Sequence, residues 1–262
     1  MTASLQSAVA APVKPAIGFL SIAAPAYNEE DGIATLLDGW LDHLRRCRQI
    51  ERFEIVVCND GSGDGTGALL DAKAGETPEV RVIHLERNRG AAVALATAIG
   101  QTRGEWVLLI DSDGQFPIAN LETLISAVAA SNALAAIGVR TVKRDAVFAR
   151  FGSWASGAIC NWFHGSSYRD FNSALKLVHG PLLRSLHLEA RGLNYSTEIT
   201  SKLLERDVHP IEAEIVHVRR ARGRSSLKAL RGAFDRLLFV GYIGLRQLLL
   251  RLRILERWQP CS

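Results

Sequence analysis

The sequence predicts an α/β fold, a mostly parallel sheet with helices on both faces. Three observations predict it. Short, wholly apolar runs recur along the first half of the chain, as strands buried on both faces require. Segments with helical periodicity alternate with these runs over short connections, which implies right-handed crossovers. Clusters of Asn, Asp and Gly follow the runs and mark loops at one edge of the sheet. At 262 residues, 48% apolar and 22% charged, the chain fits one domain of the larger kind, or one domain with an appendage.

The elements follow in order. Residues 17–24 form a buried strand ending at Pro25. Asn28 or Asp31 is placed to cap a helix through about residue 48, with Ile33, Leu36, Leu37, Trp40, Leu41 and Leu44 on one face. Residues 53–58 are a second strand and 59–65 a glycine-rich loop, and Thr66 opens a helix to about residue 74. Residues 80–85 are a third strand, Asn88-Arg-Gly90 starts an Ala-rich helix to about residue 101, and 106–110 a fourth strand. Ligands of such sheets bind outside the carboxyl ends of the strands. The clusters at 25–30, 59–65 and 111–115 all fall there, so one site is implied.

The fourth strand, Trp106-Val-Leu-Leu-Ile110, runs into Asp111-Ser-Asp113-Gly-Gln115. Period-2 geometry puts both carboxylates on one side of an extended backbone. Two hard oxygen ligands so placed suit Mg²⁺ or Mn²⁺ carrying a diphosphate. Pro25-Ala-Tyr-Asn-Glu-Glu30 offers an aromatic ring, an amide and carboxylates suited to a base and ribose, or to ordinary helix capping. Asn59-Asp60-Gly61-Ser62 offers a nucleobase partner in Asp60, or an Asx-type turn. The glycine-rich loop lacks the Gly-Lys-Ser/Thr of a Walker A loop and the spacing of a dinucleotide fingerprint.

These motifs, with Asn88-Arg-Gly90 between the second and the last, resemble a family 2 glycosyltransferase of the GT-A fold. Within that family they look most like the dolichyl-phosphate mannose synthase and polyprenyl-phosphate glycosyltransferase branch. Gly138-Val-Arg140, Arg150 with Ser153, 168–173, Glu198 and 219–225 are similar to that branch's later motifs, so the resemblance covers about residues 17–226. Two departures stand out. Asn59 replaces the first acid of the usual Asp-Asp-Gly-Ser, and Asn172-Ser-Ala-Leu-Lys176 replaces the usual Gly-Phe-Arg or Gly-Phe-Lys.

The resemblance implies a metal-dependent, inverting transfer from a UDP- or GDP-linked sugar to a polyprenyl phosphate. Pro25, Ala26, Tyr27, Glu29, Asn59, Asp60, Asp111 and Ser112 would hold the nucleotide, with Asp111, Asp113 and Gln115 at the Mg²⁺ or Mn²⁺ ion. A lipid phosphate is already an anion, so cationic groups must position it rather than a base activate it; Arg140, Arg150, Ser153, Arg219, Arg222 and Ser225 are the candidates. A hydroxyl acceptor would instead need a base, and Asp170 or Glu198 is placed for that. A protein that binds nucleotide-sugar without catalysis is the reading from a different class. Asp111, Asp113 and Asp60, all present, weigh against it.

The net charge is +4, from 31 basic and 27 acidic residues, and it is uneven: beyond residue 218 the only acids are Asp235 and Glu256. A basic terminal segment points to an anionic partner. Nucleic acid is excluded because the segment lacks interleaved aromatics and any known module. Within 227–258 the longest uncharged run is nine residues (237–245), far below the roughly 20 needed to span a bilayer. A Leu/Phe/Trp-rich helix with many Arg reads as lying in the membrane interface. The alternative is packing on the catalytic domain or on a second subunit of a homo-oligomer. Residues 1–16 read as a disordered tail, 17–226 as the catalytic domain and 227–262 as the basic helical appendage. Four scattered cysteines and the lack of a leader or spanning segment suit a cytoplasmic protein peripheral at the inner membrane face. The seven histidines show no metal-ligand spacing and read as structural.

Overall fold

A computed structural model describes residues 16–141, 147–189, 194–218 and 229–251. The chain runs β1 (Ile17–Ala26), α1 (Ile33–Arg46), β2 (Ile50–Asn59), α2 (Thr66–Glu76), β3 (Val80–His84), α3 (Ala91–Gln101), β4 (Trp106–Leu109) and α4 (Asn120–Ser131). It continues through β5 (Ala135–Arg140), α5 (Val147–His164), β6 (Lys176–His179), α6 (Gly180–Arg184), α7 (Tyr195–Glu205), β7 (Ile211–Ile215) and α8 (Ala229–Arg251). The seven strands form one sheet in the order β3-β2-β1-β4-β6-β5-β7. Among the described residues, β6 alone is antiparallel to its neighbours, β4 and β5. The predicted α/β class and mostly parallel sheet are therefore present.

Strand alternation sorts the core into two layers. On β4, Leu108 packs in the layer formed by α1 and α4, together with Trp40, Leu121 and Leu124. Val107 and Leu109 point the other way, into the layer of α3, α6 and α7 with Leu95, Leu183 and Ile199. Every one of these side chains is buried. A smaller cluster of Cys160, Phe171 and Val240 joins α5, the loop before β6, and α8.

Several boundaries differ from expectation. Strand β1 passes through Pro25 to Ala26 instead of ending at it. Pairing of β1 with β4 stops at Ala23, so the missing N–H of Pro25 breaks no bond to that neighbour. Neither Asn28 nor Asp31 caps α1, whose N-cap is Gly32, whereas α3 starts where expected, with Gly90 of Asn88-Arg-Gly90 as its N-cap. The polar residues freed from capping build the site.

The order of the strands reverses at β1, with β2 on one side and β4 on the other. Such a switch point opens a crevice at the carboxyl edge of the sheet. The 25–30 loop and the Asp111–Asp113 pair stand on its two walls.

Candidate active site

The first wall is a stitched pair of loops. Asn28 sits in the left-handed region at φ 52°, and its Oδ1 accepts from the Gly63 N–H at 3.0 Å. The Asn28 N–H donates to Ser62 Oγ at 3.0 Å, and the Glu29 N–H to Thr66 Oγ1 at 2.8 Å. Glu30 accepts from the Gly65 N–H at 2.7 Å. The expected nucleotide residues Pro25, Ala26, Tyr27 and Glu29 are thereby fixed against the second loop. Tyr27 keeps its ring exposed.

Asn59 and Asp60 are internal braces. Asp60 is buried, and its two oxygens accept from the Arg89 and Gly90 N–H groups at 2.7 and 2.9 Å. Asn59 Oδ1 accepts from Ser62 N and Oγ, at 3.1 and 2.5 Å, while Nδ2 meets His84 Nδ1 at 3.0 Å. His84 Nε2 lies 2.8 Å from Asp71, so the Asn in place of an acid belongs to a chain of neutral and charged partners running to α2. Gly61 takes φ 63° with its Cα against the backbone of Arg87 and Asn88, which leaves no room for a side chain.

The second wall is the 111–115 turn. Ser112 Oγ donates to the Pro25 carbonyl at 2.7 Å, tying the acidic pair to the first wall. Asp113 Oδ1 accepts from the Gln115 N–H at 3.0 Å, and Gly114 at φ 74° makes that turn possible. Asp111 Oδ1 accepts from the Tyr195 hydroxyl at 2.5 Å. Burial, with Asp111 next to it, holds the Tyr195 phenol well above its ordinary range, so it remains a donor. The Gln115 carbonyl accepts from the Val218 N–H at 2.9 Å. That bond brings buried His217 against Phe116, ring centroids 5.1 Å apart.

Behind the turn lies a buried charge cluster. Asp170 accepts from Arg140 Nε at 2.7 Å and Nη2 at 3.0 Å, a two-pronged pair whose carboxylate is buried and whose guanidinium is mostly so. Lys176 is fully buried and donates to the Ser173 carbonyl. Burial holds its ammonium down at about 7; Asp170 draws it back up, Arg140 pushes it further down, and Asp111 draws it up. A lysine whose folded value lies below its unfolded 10.5 has lost its proton in the folded chain while the unfolded chain still binds one. Stability is therefore expected to rise with pH from about 7 towards 10.5. Denaturant midpoints at pH 6.5 and 9.5 check this: Lys176→Met should flatten the rise, and an unchanged slope would assign it to other groups.

The two candidate bases sit differently. Asp170 faces the Arg140 fork close to Lys176. Glu198, also buried, accepts from the Glu189 N–H at 2.7 Å and pairs with Lys202 at 2.9 Å, in a cluster under α8. Ser153 contributes its carbonyl, which accepts from Asn172 Nδ2 at 2.8 Å. Arg150 falls in α5, but its side chain lies outside the described residues, as do Arg219, Arg222 and Ser225 entirely. Sequence reasoning missed Tyr195 and His217 and saw Lys176 only as part of a departure. Nothing in local spacing marks them; the antiparallel return of β6 and the pairing of β7 alongside β5 bring them in.

Comparison with known proteins gives a consistent picture. The profile of Glycosyl transferase family 2 matches residues 21–184. A dolichyl-phosphate beta-glucosyltransferase of Trichomonas vaginalis is 35% identical over 113 residues, 42% of this chain and 35% of that protein. An undecaprenyl-phosphate 4-deoxy-4-formamido-L-arabinose transferase of Pseudomonas paraeruginosa is 28% identical over 221 residues, 82% of this chain and 62% of that protein. The chain thus spans less than two thirds of the length of either relative. Glucosyl-3-phosphoglycerate synthase of Mycobacterium tuberculosis, solved with Mn²⁺ and uridine-diphosphate-glucose, has the same fold. It superposes with a TM-score of 0.64 at 18% identity, covering 90% of this chain and 79% of that one.

Proposed function

The chain belongs to glycosyl transferase family 2, and from that premise we propose that it transfers a sugar from a nucleotide-diphosphate sugar to a polyprenyl phosphate. The observation that carries the reading is the Ser112–Pro25 bond at 2.7 Å, which sets the Asp111–Asp113 pair across the crevice from the 25–30 loop. A nucleoside laid on Tyr27 would direct its diphosphate at the two carboxylates. Two anionic oxygen donors facing a diphosphate fit Mg²⁺ or Mn²⁺, which bind through one or two carboxylates plus substrate phosphates. When bound, such an ion neutralises the leaving diphosphate as a Lewis acid. Asp111, Asp113 and Gln115 would hold it, and the Tyr195 hydroxyl orients Asp111.

The acceptor is chosen by charge. Both oxygens of Asp170 are engaged by Arg140, so proton abstraction there would require breaking a buried ion pair. Glu198 is buried and already engaged by Lys202 and the Glu189 N–H. A phosphate acceptor needs neither, because it arrives ionised. Support for a prenyl phosphate comes from the two named relatives, both transferases to prenyl phosphates by name. The donor is a UDP- or GDP-sugar, and the place of action is a membrane face; among the described residues no helix is long and apolar enough to cross a membrane.

A transfer assay tests this. Labelled UDP-glucose, UDP-galactose, UDP-N-acetylglucosamine or GDP-mannose is offered with Mn²⁺ or Mg²⁺, with and without a polyprenyl phosphate in detergent. An acid-labile, butanol-extractable product that needs the lipid and vanishes with EDTA is expected. Label in an acid-stable, water-soluble product would overturn the phosphate acceptor in favour of a hydroxyl. Nucleotide binding without turnover would leave a binding protein.

A further inference from the structure

One amide, that of Asn172, bonds to both α5 and α7. Its Nδ2 donates to the Ser153 carbonyl and to Ser156 Oγ, each at 2.8 Å, and its Oδ1 accepts from Thr197 Oγ1 at 2.7 Å. A carbonyl only accepts, so the nitrogen faces α5 and the oxygen faces α7. Both amide protons are used, and neither Asp nor Leu, similar in size, could make the same three bonds. Ser156 Oγ donates on to the Ser153 carbonyl at 3.1 Å, which closes the network on the α5 side. Beside it, Thr200 Oγ1 donates to the Phe171 carbonyl at 3.0 Å. Residues 171 and 172 therefore hold α7 at two points, one helical turn apart.

Each end of this bridge leads to the site. Helix α7 is buried from Tyr195 to Leu203, although Ser196, Thr197, Glu198, Thr200, Ser201 and Lys202 are polar. Apolar side chains would pack such a helix at less cost but would let it slide, whereas hydrogen bonds fix its register. Tyr195, whose hydroxyl donates to Asp111 at 2.5 Å, lies two residues before Thr197. On the other side, Gly157 of α5 lines a cavity of about 160 Å³ that has Asp170 on its wall. Asn172 Nδ2 stands 3.6 Å from where a Cβ on Gly157 would be, so it backs that cavity. The cavity adjoins the buried charge cluster, whose Lys176 is within electrostatic reach of Asp111.

We propose that Asn172 is a positioning residue for the transfer: its amide keeps the cavity wall on α5 in register with the Tyr195–Asp111 contact on α7. The bridge thereby sets the acceptor phosphate against the leaving diphosphate. The inference rests on the proposed reaction only in assigning the cavity to the acceptor. The chemistry requires some such tie, because misplacing reacting groups by about 1 Å can cost on the order of 10²-fold in rate. The bridge lies in the 172–176 segment, where the sequence departs from the Gly-Phe-Arg or Gly-Phe-Lys pattern.

Variants of the two arms test it. Thr197→Val keeps the shape of the side chain and removes the hydroxyl, Thr197→Ser restores the hydroxyl, and Asn172→Ala removes both arms. Calorimetric titration of UDP and of GDP, with and without Mn²⁺, is the readout that needs no transfer. The affinity gain from Mn²⁺ should shrink about tenfold in Thr197→Val and Asn172→Ala, as for the loss of an outer partner of a metal ligand. Thr197→Ser should stay within about twofold of wild type. In the transfer assay Asn172→Ala should also raise KM for a short-chain, water-soluble prenyl phosphate about fivefold, a KM that Thr197→Val leaves alone. A merely structural brace would lower the melting temperature and leave the Mn²⁺-dependent gain unchanged, and that result overturns the proposal. Should Asn172→Ala not fold, the contrast between Thr197→Val and Thr197→Ser decides alone: equal impairment of the two overturns it. A wild-type chain with no Mn²⁺-dependent gain would overturn it as well. Loss of the gain in the variants, with no transfer to prenyl phosphate by wild type, would sink the proposed reaction and uphold the bridge to Asp111.

Discussion

Asp113→Asn is expected to slow sugar transfer by about 10³-fold while leaving the melting temperature within a degree or two of wild type. The size follows from removing a charge aimed at the leaving diphosphate, an effect worth on the order of 10²–10³ in rate where the site is preorganised. The fold is spared because Asp113 sits on a partly exposed turn, and its bond to the Gln115 N–H at 3.0 Å can also be accepted by an amide oxygen. Binding is the second readout. Calorimetric titration of UDP or GDP with and without Mn²⁺ should show a metal-dependent gain in affinity that Asp113→Asn abolishes. Asp111→Asn should lose that gain too, and additionally weaken the tie to Tyr195 at 2.5 Å. Tyr195→Phe should then raise the Mn²⁺ needed for half-maximal rate with little loss at saturation. An Asp113→Asn chain that keeps a tenth of the activity would remove this pair from the metal site.

The nucleotide half was legible because its strands carry unbroken apolar runs and its loops do not. Residues such as Ile55–Cys58 and Leu108–Ile110 are buried on both faces, and no polar residue interrupts them. Loop function was harder to read than loop position. Asn28, Ser62, Asp64 and Thr66 look like capping residues, and each instead bonds across or within the stitched loops. Side-chain oxygens that suit a helix start suit a loop-to-loop bond equally, and only the neighbouring strand decides which is made. The second half resisted for a different reason. Strand β6 has only four residues and begins at a lysine, which sequence statistics assign to the surface. Its antiparallel register sets Lys176 opposite Ile137 and brings the loop holding Asp170 alongside Arg140, thirty residues earlier. No local spacing encodes that meeting. For α8, helical periodicity and the Arg content were visible, but not that one face would be taken by α5.

The meeting of Arg140 and Asp170 yields the largest expected effect on stability. Arg140→Met should destabilise the fold by about 3 kcal/mol, because it strands a buried carboxylate that had a two-pronged partner. The loss should stay at the low end of the range for broken buried pairs, since Lys176 is next to the same carboxylate. Arg140 now holds the Lys176 ammonium down, so without it Lys176 takes up a proton more readily and partly replaces the missing charge. Asp170→Asn should also destabilise: it removes the charge that draws the Lys176 ammonium up, so Lys176 gives up its proton more readily and the Arg140 guanidinium is left without its two-pronged partner. The double variant Arg140→Met/Asp170→Asn should recover part of the loss, giving a coupling energy of about 1–3 kcal/mol in a double-mutant cycle. Chemical denaturation of the four proteins measures it. The same set separates anchor from base. If Asp170 only positions its neighbours, the double variant regains transfer as it regains stability. Were Asp170 the proton acceptor for a hydroxyl substrate, Asp170→Asn and the double variant would both be inactive however well they folded.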